Sequence, residues 1–214
     1  MSAFQKENYI GQRGNEMNLK NQATGNVLKV FLIISMILGG IFIFTNYFYV
    51  YFYYEVYLSI AWIVEAVSYA NIIIWYITCV VYLFWIYKVH EDLKNLDAYY
   101  PITPLGAIAR ILIPIYNLYG LWNVFSTMST YFKEHDKTFN LGKKLGLFIP
   151  IYYILFLGTE VINRNIIAER VLNIHIYLLS FVLDLALLVM YFLMTKNILK
   201  ALPIVLSKRT EKAS

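Results

Sequence analysis

Charge is scarce in this chain. Asp, Glu, Lys and Arg make up 14% of its 214 residues, against roughly one quarter in soluble domains, while 60% of the residues are hydrophobic. That balance excludes an ordinary soluble domain, because one small core cannot absorb so much apolar surface; lipid is the natural sink. Cysteine is nearly missing. The single Cys79 cannot close an internal disulfide, and within its apolar run it reads as a small buried hydrophobe. Enzyme signatures are lacking too. There is no Gly-rich phosphate loop, no H-E-x-x-H, no G-x-S-x-G and no pair of intramembrane aspartates, so no catalytic residue, cofactor or metal site is expected. His90, His135 and His175 stand in separate segments without partners at ligand spacing and are expected at surfaces or interfaces.

What is present is a series of long apolar runs. The first, 28–49, is long enough to cross a hydrocarbon core of about 30 Å at ~1.5 Å per residue. No small-x-small cleavage site follows it, so it reads as an uncleaved first helix. Behind it lies a tyrosine cluster, Tyr47, Tyr49, Tyr51, Tyr53, Tyr54 and Tyr57, of the kind that marks a membrane interface. The second run, 67–88, ends on the anchor Trp85, Tyr87 and Lys88 and continues into a charged cytoplasmic extension. Residues 145–158 form a run that is short for a span and contains Pro150; 171–195 is long and clean apart from Asn173, His175 and Asp184.

The region 104–132 is different. It carries Arg110 and is broken by Pro114, which removes a backbone donor and clashes with the preceding turn. Beyond the break Leu118, Leu121, Trp122, Phe125 and Phe132 fall near one helical face, with Asn117, Asn123, Ser126, Thr127 and Thr130 on much of the rest, the pattern of an amphipathic helix.

The net charge is +5, but the cations flank the apolar runs and form no aromatic-interleaved basic stripe, so nucleic acid is not expected as a partner. Positive charge instead decides the topology. If all five regions span, Lys and Arg divide almost evenly between the two sides. If 104–132 enters and leaves on the cytoplasmic side, all but Arg164 and Arg170 fall inside. The expectation is therefore an all-α integral membrane bundle of four transmembrane helices plus a proline-broken re-entrant or in-plane amphipathic element. Its parts are a flexible cytoplasmic tail over 1–26, a membrane helical domain over 27–200 and a basic cytoplasmic tail over 201–214. Both termini lie inside a multi-pass protein of the cytoplasmic (inner) membrane.

The string Trp85-Ile-Tyr87-Lys88, then Leu93-Lys-Asn95-Leu96, Thr103-Pro104 and Ile113-Pro114-Ile-Tyr-Asn117-Leu118 resembles an uncharacterised bacterial membrane family known as a domain of unknown function. Its members show W-x-Y-[RK], a charged N-L segment, S-P-G-W and F-x-P-x-x-N-L-x-x-P in this order, and the resemblance runs from Ile74 to Lys200. It implies a multi-helix membrane fold and no established activity. The chain departs from the pattern at Leu121, where a second Pro is usual, at Leu105 and Gly106 in place of Gly-Trp, and at Arg110 in a usually aromatic segment. These departures carry no shared ligand over to this chain.

Three polar residues stand out inside the apolar regions: Asp184, Arg110 and Asn117. A carboxylate near the bilayer centre must face the bundle and be paired or neutralised. Asp184 with Arg110 reads first as a structural lock holding the broken element against the last helix, and second as an ion or proton site. Pro114 and Pro150 are the expected helix breaks, with Asn117 capping the half-helix after Pro114. Glu55, Glu65 and Glu160 are expected near the extracytoplasmic side, as solvated helix ends or an acidic mouth. The leading functional expectation is a non-enzymatic accessory, assembly or regulatory subunit acting through a protein partner or as a homo-oligomer. The alternative is a small transporter or channel component using Pro114–Asn117 and Asp184.

Overall fold

The computed structural model describes residues 19–51, 54–168 and 173–213. Among these, the regular elements are α1 (Asn21–Tyr51), α2 (Tyr54–Leu96), α3 (Pro104–Leu112), α4 (Pro114–Lys133), a 3-10 turn (Asp136–Thr138), α5 (Phe139–Ile167) and α6 (Ile174–Ala213). Four stretches are long and apolar enough to cross a membrane: Asn21–Tyr47, Ala61–Leu96, Asp136–Ile167 and His175–Ser207. Even the 27-residue first stretch reaches beyond the ~30 Å hydrocarbon core. The protein is an all-helical membrane bundle with four such helices.

Several boundaries differ from the sequence expectation. α1 begins at Asn21, before the apolar run, and α6 continues to Ala213, so nearly all of 201–214 is helix. Most of the 1–26 tail lies outside the described residues, as do Tyr53 and Arg170; the side chains of Glu55 and of every tyrosine in the cluster except Tyr47 do too. α2 runs 43 residues through Glu65 and the charged stretch because it contains neither Gly nor Pro to stop it. Pro150, an expected break, sits inside a continuous α5. A helix already propagated on both sides of a proline, in apolar surroundings, keeps its form at the loss of one hydrogen bond.

Region 104–132 forms two helices. Thr103 caps α3: its Oγ1 accepts the Gly106 N–H at 3.1 Å, and Pro104 occupies the first position, where no donor is needed. Ile113 then leaves helical geometry at φ −78°, ψ 117° as proline's steric demand requires, and α4 starts on Pro114. The expected Asn117 cap is not formed. Ile113 is the cap residue, without a side-chain hydrogen bond, and Asn117 lies one turn inside the helix, its N–H donating to Ile113 O at 2.7 Å. The hairpin is tight: a Cβ on Gly120 would stand 2.2 Å from the Arg110 carbonyl oxygen. At nine residues α3 is too short to cross a bilayer.

The chain divides into two compact units. Unit 1 comprises Met1–Gly25, Phe84–Gly146 and Asn197–Ser214, and unit 2 comprises Asn26–Leu83 and Leu147–Lys196. Unit 1 has a packed core in which Trp85, Leu93, Phe125, Phe132, Leu145 and Ile198 are buried. Side chains fasten backbone to backbone there. Ser129 Oγ donates to Gly142 O at 2.9 Å, Thr138 Oγ1 to Phe132 O at 2.8 Å, Asn197 Nδ2 to Leu141 O at 2.8 Å and Gln22 Nε2 to Leu199 O at 3.0 Å. Of the aromatic and aliphatic side chains expected on one face of α4, Leu121, Phe125 and Phe132 enter this core, whereas Leu118 and Trp122 stay exposed. Unit 2 turns apolar side chains outward, with Trp62 71% and Ile154 70% exposed. A water-soluble protein rarely carries such a surface; lipid accepts it without cost.

Candidate functional site: an intramembrane cavity with one uncompensated carboxylate

Each of the four long helices contributes one stripe to a cavity of about 490 Å³ within unit 2. α1 supplies Leu32, Ser35, Gly39 and Phe42; α2 supplies Asn71, Trp75, Thr78, Cys79 and Tyr82. α5 adds Phe156, Thr159, Glu160 and Asn163; α6 adds Phe181, Asp184, Leu188 and Tyr191. Apart from the adjacent pairs Thr78–Cys79 and Thr159–Glu160 these spacings are threes and fours, one face of each helix. Polar residues that looked scattered through apolar runs therefore converge on one volume. The helical periodicity of Ser35, Asn71, Thr78, Thr159, Asn163 and Asp184 was the available signal, and it becomes visible only when the four faces are known to meet.

Most of the hydroxyls here are already committed. Thr78 Oγ1 donates to Ile74 O at 2.7 Å and stands 3.3 Å from Ser35 Oγ; Thr159 Oγ1 donates to Leu155 O. Tyr152 donates to the Tyr191 hydroxyl at 2.8 Å, and the Tyr82 and Tyr152 rings each pack edge to face with that of Tyr191, at centroid distances of 5.2 and 5.0 Å.

The two carboxylates differ. Glu160 accepts from Arg164 one turn on, at 2.9 Å from Nε and 2.8 Å from the terminal nitrogen, so its charge is matched. Among the described residues Asp184 Oδ1 has only the Asn163 amide nitrogen, at 3.5 Å, the long limit of a hydrogen bond. No Lys, Arg or His of unit 2's described side chains stands within ion-pair distance of it. A charged side chain at the centre of a membrane helix costs about 2.5–3.5 kcal/mol on insertion scales, so an unmatched one calls for a compensating ligand or a proton.

The other expected site residues lie elsewhere. Arg110 and Asn117 belong to the α3–α4 hairpin in unit 1, and neither lines the cavity. The Arg110 guanidinium donates to Gly106 O at 2.9 Å, one turn back in its own helix. Pro114 forms the hairpin bend. Glu65 is exposed, receives the Tyr69 hydroxyl at 3.4 Å, and lines a separate hollow with Asn46 and Ser68.

The histidines divide. His175 is exposed and His135 half-buried with Nδ1 2.9 Å from Tyr131 O, but His90 is fully buried, not at a surface. Its Nδ1 lies 2.9 Å from Ile86 O and its ring 5.8 Å from that of Tyr100. Burial, then the neighbouring Tyr131, pushes the Tyr100 phenol well above its ordinary pKa. α2 does continue as a helix through the charged stretch around His90, and it carries His90 and Asp92 into the unit 1 core. Among the described residues no group of three His, Cys, Asp or Glu is placed to hold a metal ion.

No protein-family model, no curated protein and no solved structure matches the chain. The site is therefore read from its geometry alone.

Proposed function

We propose that this chain is a non-enzymatic, multi-pass protein of the cytoplasmic membrane whose four spanning helices enclose a solute-binding site, making it a small transporter or channel component. One observation carries the reading: a cavity large enough for a small molecule contains a carboxylate that no described side chain of unit 2 matches with an opposite charge. On this reading the α3–α4 hairpin stays on the cytoplasmic side, re-entrant or in the membrane plane. Leu105, Leu112, Ile113, Tyr116 and Tyr119, all exposed, sink into the interface, and both termini face the cytoplasm. The motif string from Trp85 to Leu118 supports membership of the domain-of-unknown-function family without adding an activity.

Cys79 makes the test direct, because the chain's one thiol lines the cavity. Native membranes treated with N-ethylmaleimide should label Cys79, and Gly39→Phe, which fills the cavity from α1, should slow labelling at least about tenfold. Gly39→Ala should label like the wild type, since its Cβ meets only Leu185 Cδ1 at 3.7 Å. Equal labelling of wild type and folded Gly39→Phe breaks the reading.

A second reading has one observation of its own. The apolar row on α3–α4 must be covered by lipid or by protein, and protein cover makes the chain an accessory, assembly or regulatory subunit, or a homo-oligomer. That reading requires a stoichiometric companion, or a second copy, on purification in mild detergent; a lone monomer rejects it.

A further inference from the structure

Resting on the solute-site reading, we infer that the cavity's ligand is an organic cation with a bulky apolar body. Three features of the cavity select it. First, charge: among the described residues the formal charges facing the cavity are the carboxylates of Asp184 and Glu160, with no Lys, Arg or His on the wall. Glu160 is matched by Arg164, which leaves Asp184 as the attracting group and nothing to hold an anion. Second, the walls: Phe42, Trp75, Phe156 and Phe181 present ring faces and edges, with Phe42 and Phe181 packed edge to face at 4.8 Å. Aromatic surface beside a carboxylate stabilises a desolvated cation twice, through the ring quadrupole and through the opposite charge. Third, size: about 490 Å³ falls within the range of small-molecule pockets and far exceeds what a bare ion fills. A site built from several carboxylates or imidazoles, as a divalent metal ion would favour, is not formed among the described residues.

A pair of probes of one shape and opposite charge tests this. The full chain in lipid nanodiscs should bind tetraphenylphosphonium saturably and tetraphenylborate at least about tenfold more weakly. Tetraphenylphosphonium should also protect Cys79 of the wild type from N-ethylmaleimide, which tetraphenylborate should not, and this arm needs no variant to fold. Asp184→Asn should lower tetraphenylphosphonium affinity at least about tenfold and erase the charge preference, Asp184→Glu should keep the preference, and Trp75→Ala should weaken binding several-fold. Equal binding of the two probes, or undiminished tetraphenylphosphonium affinity in a folded Asp184→Asn, overturns the inference. Failure here with Gly39→Phe still shielding Cys79 removes only the ligand class; failure of both removes the cavity reading itself.

Discussion

Two carboxylates, one in each unit, meet opposite circumstances. Asp92, on α2 in unit 1, is 3% exposed and accepts three hydrogen bonds: from the Lys20 N–H at 3.1 Å, the Asn21 N–H at 2.9 Å and the Asn21 Nδ2 at 2.7 Å. It caps the N-terminus of α1 from a different helix, satisfying amides that no helix can satisfy itself and complementing the positive end of the dipole. The Lys20 ammonium, bonded to Glu91 at 2.6 Å, is held above its ordinary pKa, though at an exposed position where such pairs add little. Asp184 in unit 2 has one amide at 3.5 Å. The difference teaches what burial of a carboxylate signifies: where both oxygens are held by well-placed donors the residue is structural, and where they are left over it is available to something else.

The largest effect should come from breaking the satisfied member. Asp92→Ala leaves the buried donors of Lys20 and Asn21 unmatched and should cost about 3–4 kcal/mol, seen as a fall of more than about 5 °C in the detergent-solubilised Tm. A Tm within a degree of the wild type would show that α1 needs no cap from α2.

Backbone spacing sharpens the contrast. Gly120→Ala drives a methyl group onto the Arg110 carbonyl and must open the α3–α4 hairpin, at about 2–3 kcal/mol. Gly39→Ala in unit 2 meets nothing closer than 3.7 Å and should change stability by less than about 1 kcal/mol, in the stabilising direction that loss of glycine's unfolded-state freedom gives. Parallel melting curves compare the two; equal losses would mean that the hairpin is not closely packed at Gly120.

The same two units mark how far the sequence could be read. Helical class and the four spans follow from apolar run length, a property local to each segment. The strings Ile113-Pro114-Ile115-Tyr116 and Ile149-Pro150-Ile151-Tyr152 are alike in sequence, yet only the first breaks its helix. What separates them is tertiary: Gly120 lets α4 fold back on the Arg110 backbone, so a bend at Pro114 gains packing. Neither string reveals that contact. His90, expected at a surface or interface and found buried, differs for a related reason. A charged stretch reads as solvated until its partners, Asn21 in another helix and Tyr100 beyond the next turn, are known. Asp184 was legible as the residue to watch, because a lone carboxylate in a long apolar run is costly wherever it points. Its neighbours Asn163, Ser35 and Asn71 were not, since the meeting of four helix faces is absent from any one of them.

The smallest effect on stability should come from the residue expected to matter most for ligand. If Asp184 were a lock, its loss would resemble that of Asp92, and Asp184→Asn would lower stability by several kcal/mol as the partner charge was left buried and alone. Its described partner, however, is a neutral amide at 3.5 Å, and an asparagine in its place offers Asn163 an acceptor of nearly the same shape. The substitution also removes a charge that no described side chain of unit 2 matches. Asp184→Asn should therefore melt within about 1 kcal/mol of the wild type, or above it, in the same detergent in which Asp92→Ala collapses. A loss of more than about 2 kcal/mol in Asp184→Asn would restore the lock, because a group that costs free energy where it sits can stabilise the fold only through a partner it would then have to possess.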